Sequence, residues 1–410
     1  MTMTLRTFAA FGLIAIVAFT NAPFTAKAAE SKSAKIEISG WIPYWRTEAG
    51  TEDAREHISQ LTEINPFGYT VTSAGKLNDA MKINGSDWQD LIEEAEDEDV
   101  RVIPTIMWSD TQSIHAVLSD KSKRAAHVKE IAKVVRDNGF DGIDIDYEGK
   151  LADTRVHFSA FLKELEKELG RKMLMCTIEA RMPLSARFAG TPPPNIEYAN
   201  DLRQINRYCD RVRIMTYDQQ TADVELNGAA RAKKEIYAPV ADVAWVEKVV
   251  NYMDNDIDRS KMVLGIATYG YIYQMMPDTN GNGYGYTKLE AFNPGYATQL
   301  AKELKITPER NRAGELSFSY VPKDQPGGLP SQSALAKLAP KGTASANLAA
   351  AGALALAKSK GQQAPFEYIT WSDSGAIKQK VDLAKKLKLK GVAVFKIDGG
   401  SDPKMWSVLK

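Results

Sequence analysis

The chain has 410 residues, of which 44% are hydrophobic and 25% are charged, an ordinary composition for a globular protein with a sizeable core. Lys plus Arg and Asp plus Glu both number 52, so the formal net charge is zero. Because the chain carries no strong field of either sign, the composition argues against nucleic acid or an acidic membrane surface as partner. A neutral partner such as a polysaccharide fits but is not singled out.

The first 28 residues are predicted to form a cleaved signal peptide. Arg6 supplies a positive charge, residues 8–19 are almost wholly apolar, and residues 26–28 (Ala-Lys-Ala) have the pattern of a cleavage site. The apolar run is shorter than the ~20 residues that a membrane span needs, and no other stretch approaches that length. We therefore expect cleavage near Ala28, export from the cell or into its envelope, and no stable membrane anchor afterwards.

Eight short apolar runs then alternate with longer stretches of helical periodicity. The apolar runs are Ile36 to Trp45, Ile64 to Val71, Val100 to Trp108, Gly142 to Tyr147, Met173 to Ile178, Val212 to Tyr217, Met262 to Tyr269 and Gly391 to Ile397. This alternation predicts parallel strands joined by right-handed crossovers. Over residues 29–410 it predicts one α/β domain, a closed (β/α)8 TIM barrel. The alternative, a doubly wound open sheet, lacks a Gly-x-Gly-x-x-Gly motif after a strand.

Residues 272–375, between the seventh and eighth predicted strands, are too many for a single crossover helix. They contain a Gly-, Asn- and Tyr-rich loop, a helical segment near Tyr296 to Leu304, and strand-like pieces at Glu315 to Val321 and Phe366 to Trp371. We interpret them as a small α+β insertion. Within it, the Ala-, Lys-, Ser- and Gly-rich stretch Ser331 to Gln363 can form a helix or a poorly ordered excursion.

The two cysteines are a candidate disulfide, and one Asn-rich loop is a candidate metal site. Cys176 and Cys209 lie in apolar strand-like runs, where they can pair in an oxidising compartment or stay as buried thiols. The loop that starts at Asp278 begins like a calcium-binding loop, but Leu289 occupies the position of the required bidentate carboxylate. We expect no metal and no cofactor.

The densest chemical signal is an alternating row of acids on the fourth predicted strand. Asp144, Asp146 and Glu148 share one face, with neighbours roughly 6.6 Å apart, whereas Asp141 faces the other way and is predicted to be structural. Isoleucines between the acids predict a buried strand and argue against an exposed acidic stripe. Because like charges in a confined site raise one another's pKa, Glu148 can donate a proton while Asp144 and Asp146 share one.

The pattern Asp-x-x-Asp-x-Asp-x-Glu, which these four acids meet in full, resembles the signature of glycoside hydrolase family 18. This family holds chitinases and related N-acetylglucosaminidases. Further resemblances cover most of the chain after the signal: Gly40 to Trp45 is similar to the family's first strand, Met215 to Asp218 to its sixth and Gly391 to Phe395 to its eighth.

The resemblance implies retaining hydrolysis of glycans that contain β-linked N-acetylglucosamine, assisted by the substrate itself. Glu148 would protonate the glycosidic oxygen, and the substrate's 2-acetamido carbonyl would attack the anomeric carbon. Asp146 would hold the acetamido N–H, with Asp144 sharing its proton. Tyr217 would donate to the acetamido carbonyl, and Asp218 would contact the sugar. The expected enzyme is a monomer that needs neither metal nor cofactor.

Two departures leave the glycan open between chitin-type chains, peptidoglycan strands and N-glycan cores. Phe395 stands where the family usually has a tryptophan beneath the reacting sugar, and it offers a smaller ring face. The segment Lys396 to Trp406 is more similar to the branch that includes spore-cortex N-acetylglucosaminidases than to typical chitinases.

Further candidate sugar contacts lie late in the predicted strands, where barrel enzymes bind substrate. They are Tyr44, Trp45, Trp108, Glu179, Arg181, Met215, Asp218, Tyr269 and Phe395. The alternative for about half of the aromatics is packing within the barrel. Glu179 and Arg181 either pair with each other or bind a polar ligand. Non-catalytic alternatives are a lectin-like or an adhesive barrel, and the intact Glu148 favours a hydrolase over both.

Overall fold

The computed structural model describes residues 36–326 and 328–409 of the chain. The predicted signal peptide lies outside the described residues. In the part that the structure covers, no helix is both long and apolar enough to cross a membrane.

Eight parallel strands form a closed barrel. They are β1 (Glu37–Pro43), β2 (Glu63–Val71), β3 (Thr105–Trp108), β4 (Gly142–Tyr147), β5 (Met173–Glu179), β6 (Arg211–Met215), β7 (Met262–Ala267) and β8 (Gly391–Phe395). Each strand pairs with its neighbour in chain order, and β1 pairs with both β2 and β8, which closes the sheet. Two short strands, Leu77–Asp79 and Arg101–Val102, also pair with β2. The predicted (β/α)8 barrel is confirmed.

Helices follow the strands along the chain. They are α1 (Thr47–Glu56), α2 (Ser86–Asp97), α3 (Thr111–Leu118), α4 (Lys121–Asp137), α5 (Arg155–Leu169), α6 (Leu184–Arg187), α7 (Leu202–Tyr208), α8 (Val224–Ala232), α9 (Val243–Met253), α10 (Pro294–Leu304), α11 (Gln332–Leu338), α12 (Leu348–Lys360), α13 (Ser374–Lys386) and α14 (Met405–Val408). Short 3-10 turns cover Tyr44–Arg46, Ile58–Gln60, Ala152–Thr154 and Ser345–Asn347.

Local sequence explains where many of these helices begin and which face they bury. Aspartates precede α3, α4, α7, α8, α9 and α13, and their carboxylates accept hydrogen bonds from backbone N–H groups of the first turn. On α9, Val246, Val249 and Val250 recur at helical spacing and are fully buried. The hydrophobic core therefore lies between the strands and this ring of helices.

The insertion between β7 and β8 contains a five-stranded antiparallel sheet, as the α+β prediction requires. Its order is Tyr284–Phe292, Gly270–Pro277, Phe366–Trp371, Leu316–Tyr320 and Glu309–Arg310. The stretch Ser331 to Gln363 forms helices α11 and α12. A Cβ atom on Gly352 would lie 2.0 Å from the Leu335 carbonyl oxygen, so a glycine is needed where the two helices meet.

Two alternatives from the sequence are decided by the structure. Cys176 on β5 and Cys209 after α7 form a disulfide, and both are buried. The loop after Asp278 is a hairpin turn whose aspartate pairs with Arg231 at 2.7 Å. Among the described residues, no group of three or more His, Cys, Asp or Glu is placed to hold a metal ion.

A charged network crosses the centre of the barrel. Arg213 on β6 is fully buried, and its guanidinium donates to Asp144 on β4 at 2.9 Å. The same guanidinium donates to Asn65 on β2 at 2.7 Å and to Glu63 on β2. Even-numbered strands contribute side chains to the same interior layer of such a barrel. One cation therefore joins two buried carboxylates from different strands.

We predict that Arg213→Met strongly destabilises the fold. Removing the shared cation leaves Asp144 buried without a counter-charge and leaves Glu63 with Arg101 alone, at 3.5 Å, so the free energy of unfolding should fall by about 3–5 kcal/mol. Denaturant unfolding followed by circular dichroism measures the loss. A second substitution, Glu63→Gln, should recover part of it. A loss below about 1 kcal/mol, as for an exposed ion pair, would contradict this account.

Candidate active site

Asp144 lies deepest in the acid row and is surrounded by hydrogen-bond donors. Trp41 donates to it at 3.2 Å, Thr105 and Thr177 at 2.9 Å, and Arg213 at 2.9 Å. These donors come from four different strands, so only barrel closure brings them together. No hydrogen bond joins Asp144 to Asp146 in the described residues, and their sharing of a proton stays a prediction.

Asp146 lies one step nearer the barrel mouth and has the opposite environment. Its side chain is buried, and its Oδ1 atom has no hydrogen-bond partner among the described residues. Burial, followed by the negative charges of Glu148 and Asp144, raises its pKa well above the usual range, although Lys150 opposes the shift. A carboxyl group with a raised pKa and one unpaired oxygen therefore lies one step behind Glu148.

Glu148 follows the last residue of β4 and is only half-buried. Its backbone N–H donates to the Trp108 carbonyl at 2.9 Å, which continues the pairing of β4 with β3 by one residue. Burial, then the negative charge of Glu179, raises the pKa of the Glu148 carboxyl, and the positive charge of Lys150 lowers it. A carboxyl group with a raised pKa at the open end of a barrel is suited to donate a proton.

Tyr217 and Phe395 form a wall beside the acids. Their rings stack with centroids 5.8 Å apart and planes at 18°. The next residue, Asp218, has a positive φ of 59°. Its carboxylate accepts hydrogen bonds from the hydroxyls of Tyr269 at 2.5 Å and Tyr271 at 2.6 Å. The predicted site residues on β6, β7 and β8 are thus brought together, and Tyr269 also holds Asp218.

A cavity of about 490 Å³ opens beside this wall. We name it the aromatic cleft after its rings, which belong to Trp45, Tyr269, Tyr271, Phe292 and Phe395. Trp45 is the most accessible of the cleft's large apolar side chains, with 49% of its surface exposed. Tyr44 packs edge-on against Trp45 at 5.1 Å and is not part of the lining. The exposed ring of Trp45, beside the polar groups of the cleft, is suited to stack on a sugar face.

The position of Trp108 does not fit the predicted contact with substrate. Only 4% of its surface is exposed, its indole N–H donates to Ser113 at 3.2 Å, and its ring packs against His127 and Tyr147. Side chains alternate along a strand, so the preceding residue, Met107, has its side chain on the opposite face. Met107 pairs in register with Asp146 and packs with residues of the barrel interior. Thr105 has its side chain in the barrel interior, so Met107, two residues later, lies on the same face of β3.

Glu179 and Arg181 do not form the ion pair that was one of their two predicted roles. Glu179 accepts hydrogen bonds from the Gly149 backbone N–H at 3.3 Å and from the Asn200 amide at 2.8 Å. Arg181 donates to the Asn200 carbonyl at 2.9 Å and lies 3.8 Å from the centre of the Tyr198 ring. Both charged side chains therefore form hydrogen bonds with Asn200 and not with each other.

Three buried residues of the site were missed in the sequence. Arg213 and Asn65 support Asp144, and an arginine within the apolar run of β6 was a signal that could have been used. Lys150 is also buried, donates to the Tyr147 carbonyl, and lies 4.6 Å from the centre of the Phe158 ring. Met215 is half-buried at the end of β6, in register with Glu179.

The model of one protein family, described as glycosyl hydrolases family 18, matches residues 40–400. The chain belongs to this family. The match spans the barrel from β1 to the segment after β8, and therefore includes the acid row, Tyr217 and the insertion. The chain is accordingly classed with the glycoside hydrolases, and the substrates of such proteins are glycans.

Curated and solved relatives are distant. The chain is 23% identical over 208 residues to the uncharacterized glycosylase YvbX of Bacillus subtilis, which covers 50% of this chain and 54% of that protein. It spans about half or less of the lengths of the curated relatives it matches.

Two solved structures show a shared fold. One is the spore cortex-lytic enzyme SleL of Bacillus cereus, with a TM-score of 0.65 and 16% identity over 91% of this chain and 73% of that one. The other is the chitinase-like agglutinin RobpsCRA of Robinia pseudoacacia, with a TM-score of 0.62 and 14% identity over 90% of this chain and 98% of that one. At these identities the likeness concerns the fold alone.

The charge of Glu179 gives a testable prediction about Glu148. Because a neighbouring anion raises the pKa of a carboxyl group, the neutral variant Glu179→Gln should lower the pKa of Glu148. A carboxyl-carbon NMR titration of glutamate-labelled protein measures it, with the resonance assigned by its loss in Glu148→Gln. Glu94 on α2, which is half-buried and pairs with Arg55 at 2.8 Å, serves as a control when it is replaced in the same way. An unchanged or higher pKa in Glu179→Gln would contradict the prediction.

Proposed function

We propose that the protein is an exported glycosidase that hydrolyses glycans containing β-linked N-acetylglucosamine, with retention of configuration and with Glu148 as general acid and base. The observation that carries the proposal is the contrast within the acid row. Asp144 is fully engaged by donors, Asp146 is buried with an unpaired oxygen, and Glu148 at the mouth has a raised pKa. The three carboxyl groups are thereby suited to three different roles.

The environment of these acids favours a nucleophile supplied by the substrate. Asp144 is bound to Arg213 and three other donors, and Asp218 is held by two tyrosine hydroxyls. The raised pKa of Asp146 favours its neutral form, which is a weak nucleophile. Among the candidate acids of the site, none is left as a free carboxylate to attack the anomeric carbon. The carbonyl oxygen of a 2-acetamido group can take this role, as in substrate-assisted glycosidases.

In the proposed reaction, Glu148 donates its proton to the glycosidic oxygen while the acetamido carbonyl oxygen attacks the anomeric carbon. The glycosidic C–O bond breaks, and the leaving sugar departs as an alcohol. Positive charge then develops on the acetamido group, which becomes an oxazolinium ion. The free oxygen of Asp146 accepts the acetamido N–H, and the fixed negative charge of Asp144 lies behind it. Tyr217 donates its hydroxyl to the acetamido carbonyl. Glu148 finally takes a proton from water as the water oxygen attacks the anomeric carbon. The bond between that carbon and the acetamido oxygen breaks, which regenerates the acetamido group and the protonated Glu148.

The aromatic cleft is proposed to bind the sugar chain beside the reacting unit. Phe395 stacks beneath the sugar in place of an indole, and Trp45 presents an open ring. Every residue invoked belongs to one chain, so a monomer suffices. Export through the predicted signal peptide would bring the enzyme to extracellular or envelope glycans. A lectin-like barrel is the second candidate, because an agglutinin shares the fold, but the presence of Glu148 with a raised pKa favours hydrolysis.

We expect Glu148→Gln to fold normally and to lose roughly two to four orders of magnitude in kcat on a chromogenic N-acetylglucosamine oligomer. The amide keeps the shape of the side chain but cannot donate a proton to the leaving oxygen. Thermal unfolding shows that the fold is kept, and Glu94→Gln is a matched control far from the site. Turnover equal to that of the wild type would refute the assignment.

A thiazoline analogue of the oxazolinium ion should inhibit competitively, because it reproduces the shape and charge of the proposed intermediate. Asp146→Asn should weaken its binding by about tenfold or more, since this variant alters the group that holds the ring nitrogen. Inhibition constants measured with both proteins test this. Hydrolysis that proceeds without any inhibition by the thiazoline would show that the substrate-assisted step is wrong.

A further inference from the structure

A second cavity, of about 390 Å³, lies at the ends of β5 and β6. Its polar lining consists of Glu179, Arg181, Arg187, Glu197, Tyr198 and Asn200, and we name it the arginine pocket. It adjoins the proton donor, because Glu179 accepts a hydrogen bond from Gly149, the residue after Glu148. The aromatic cleft opens instead among the ends of β1, β6, β7 and β8. The two cavities are therefore built on different sides of the barrel mouth.

Two buried polar atoms of the arginine pocket have no partner in the described residues. Asn200 is only 8% exposed, and its Oδ1 atom makes no hydrogen bond, although its amide nitrogen donates to Glu179. The hydroxyl of Tyr198 is buried without a partner as well. Leaving such groups unpaired costs about 1–3 kcal/mol each, so their retention points to a polar ligand.

The two arginines of the pocket also lack a carboxylate partner within the described part of the chain. Arg181 is half-buried, and its guanidinium bonds only to the Asn200 carbonyl while stacking on Tyr198. Arg187 is exposed and lies 5.4 Å from the centre of the neighbouring Phe188 ring, with no ion pair. Planar guanidinium groups with free N–H donors are the side chains best suited to bind a carboxylate in two-pronged fashion.

The acids of the pocket do not neutralise these arginines. Glu179 is turned toward the proton donor by its hydrogen bonds to Gly149 and Asn200. Glu197 is exposed and makes no ion pair with either arginine in the residues described. The pocket thus offers two unpaired cations together with one free acceptor and one free hydroxyl.

We propose that the arginine pocket is a subsite for an acid-bearing sugar adjacent to the N-acetylated sugar that reacts. Its carboxylate binds Arg181 and Arg187, while Asn200 Oδ1 and the Tyr198 hydroxyl take hydroxyl or amide groups of the same unit. The substrate is then a glycan in which N-acetylglucosamine alternates with an acidic sugar, and not a neutral homopolymer. This inference rests on the proposed function for the bond that is cleaved.

Four oligosaccharides of equal length test the subsite. One contains only N-acetylglucosamine. In the second, every other sugar carries a lactyl ether with a free carboxylate, and in the third that carboxylate is converted to a neutral amide. In the fourth, every other sugar is a uronic acid, so the second and fourth separate the two sources of the carboxylate. Product release, followed by mass spectrometry, gives kcat/KM for each.

The wild-type protein should prefer a carboxylate-bearing oligomer to both neutral ones. Arg181→Gln and Arg187→Gln should each lower the ratio of kcat/KM for that oligomer to kcat/KM for the neutral one by roughly 10- to 100-fold, mainly through KM. Arg136→Gln, on the outer surface of α4, is the matched control, and its ratio should equal that of the wild type. If Arg181→Gln fails to fold, the exposed Arg187 still provides the test.

The failures of this inference and of the proposed function can be told apart. Ratios that stay at the wild-type value in both arginine variants would overturn the subsite while leaving hydrolysis intact, as would equal rates on the acidic and amidated oligomers. If no oligomer is cleaved, the proposed function fails. Calorimetric binding of the acidic oligomer to Glu148→Gln, with and without Arg187→Gln, then decides the subsite alone, and equal affinities would overturn it.

Discussion

The ion pair between Arg213 and Asp144 is the interaction on which the site depends. An unpaired charge is very unfavourable inside a barrel, and here the guanidinium satisfies carboxylates from β2 and β4 at once. Because Asp144 is held by four donors, its negative charge is fixed in position. That negative charge is one of the causes, after burial and the charge of Glu148, that raise the pKa of Asp146. Stability and chemistry are therefore coupled through one side chain on β6.

The sequence could predict those features of the site that depend only on the alternation of side chains along a strand. Alternation along β4 was sufficient to place Asp144 and Asp146 on one face, and Asp141 on the other, where it accepts the Val102 N–H at 2.8 Å. Trp108 was predicted only from its place late in a strand, whereas alternation counted from Thr105 on β3 points to Met107. Trp108 is aromatic and lies late in its strand, but its side chain is on the face of β3 that packs against the helices.

Partners that come from distant parts of the chain could not be predicted in the same way. Asp144 receives hydrogen bonds from residues 41, 105, 177 and 213, which meet only when the barrel closes. Glu179 binds the side chain of Asn200, and Arg181 binds its backbone carbonyl. Both hydrogen bonds depend on the path of the loop after β5. Nothing in the spacing of these residues specifies that path. The pairing of the two cysteines was likewise undecided until their strands were placed.

The disulfide has a consequence for where the protein can mature. Cys176 and Cys209 enclose the segment that contains Arg181, Tyr198 and Asn200, and much of this segment has no regular secondary structure. A covalent closure restricts the conformations open to such a loop before the chain folds. A molecule assembled in a reducing compartment would keep its acid row, which is built on strands, but would lose this restraint on the neighbouring loop. The oxidising state of the environment therefore bears most directly on the arginine pocket and less on the acid row.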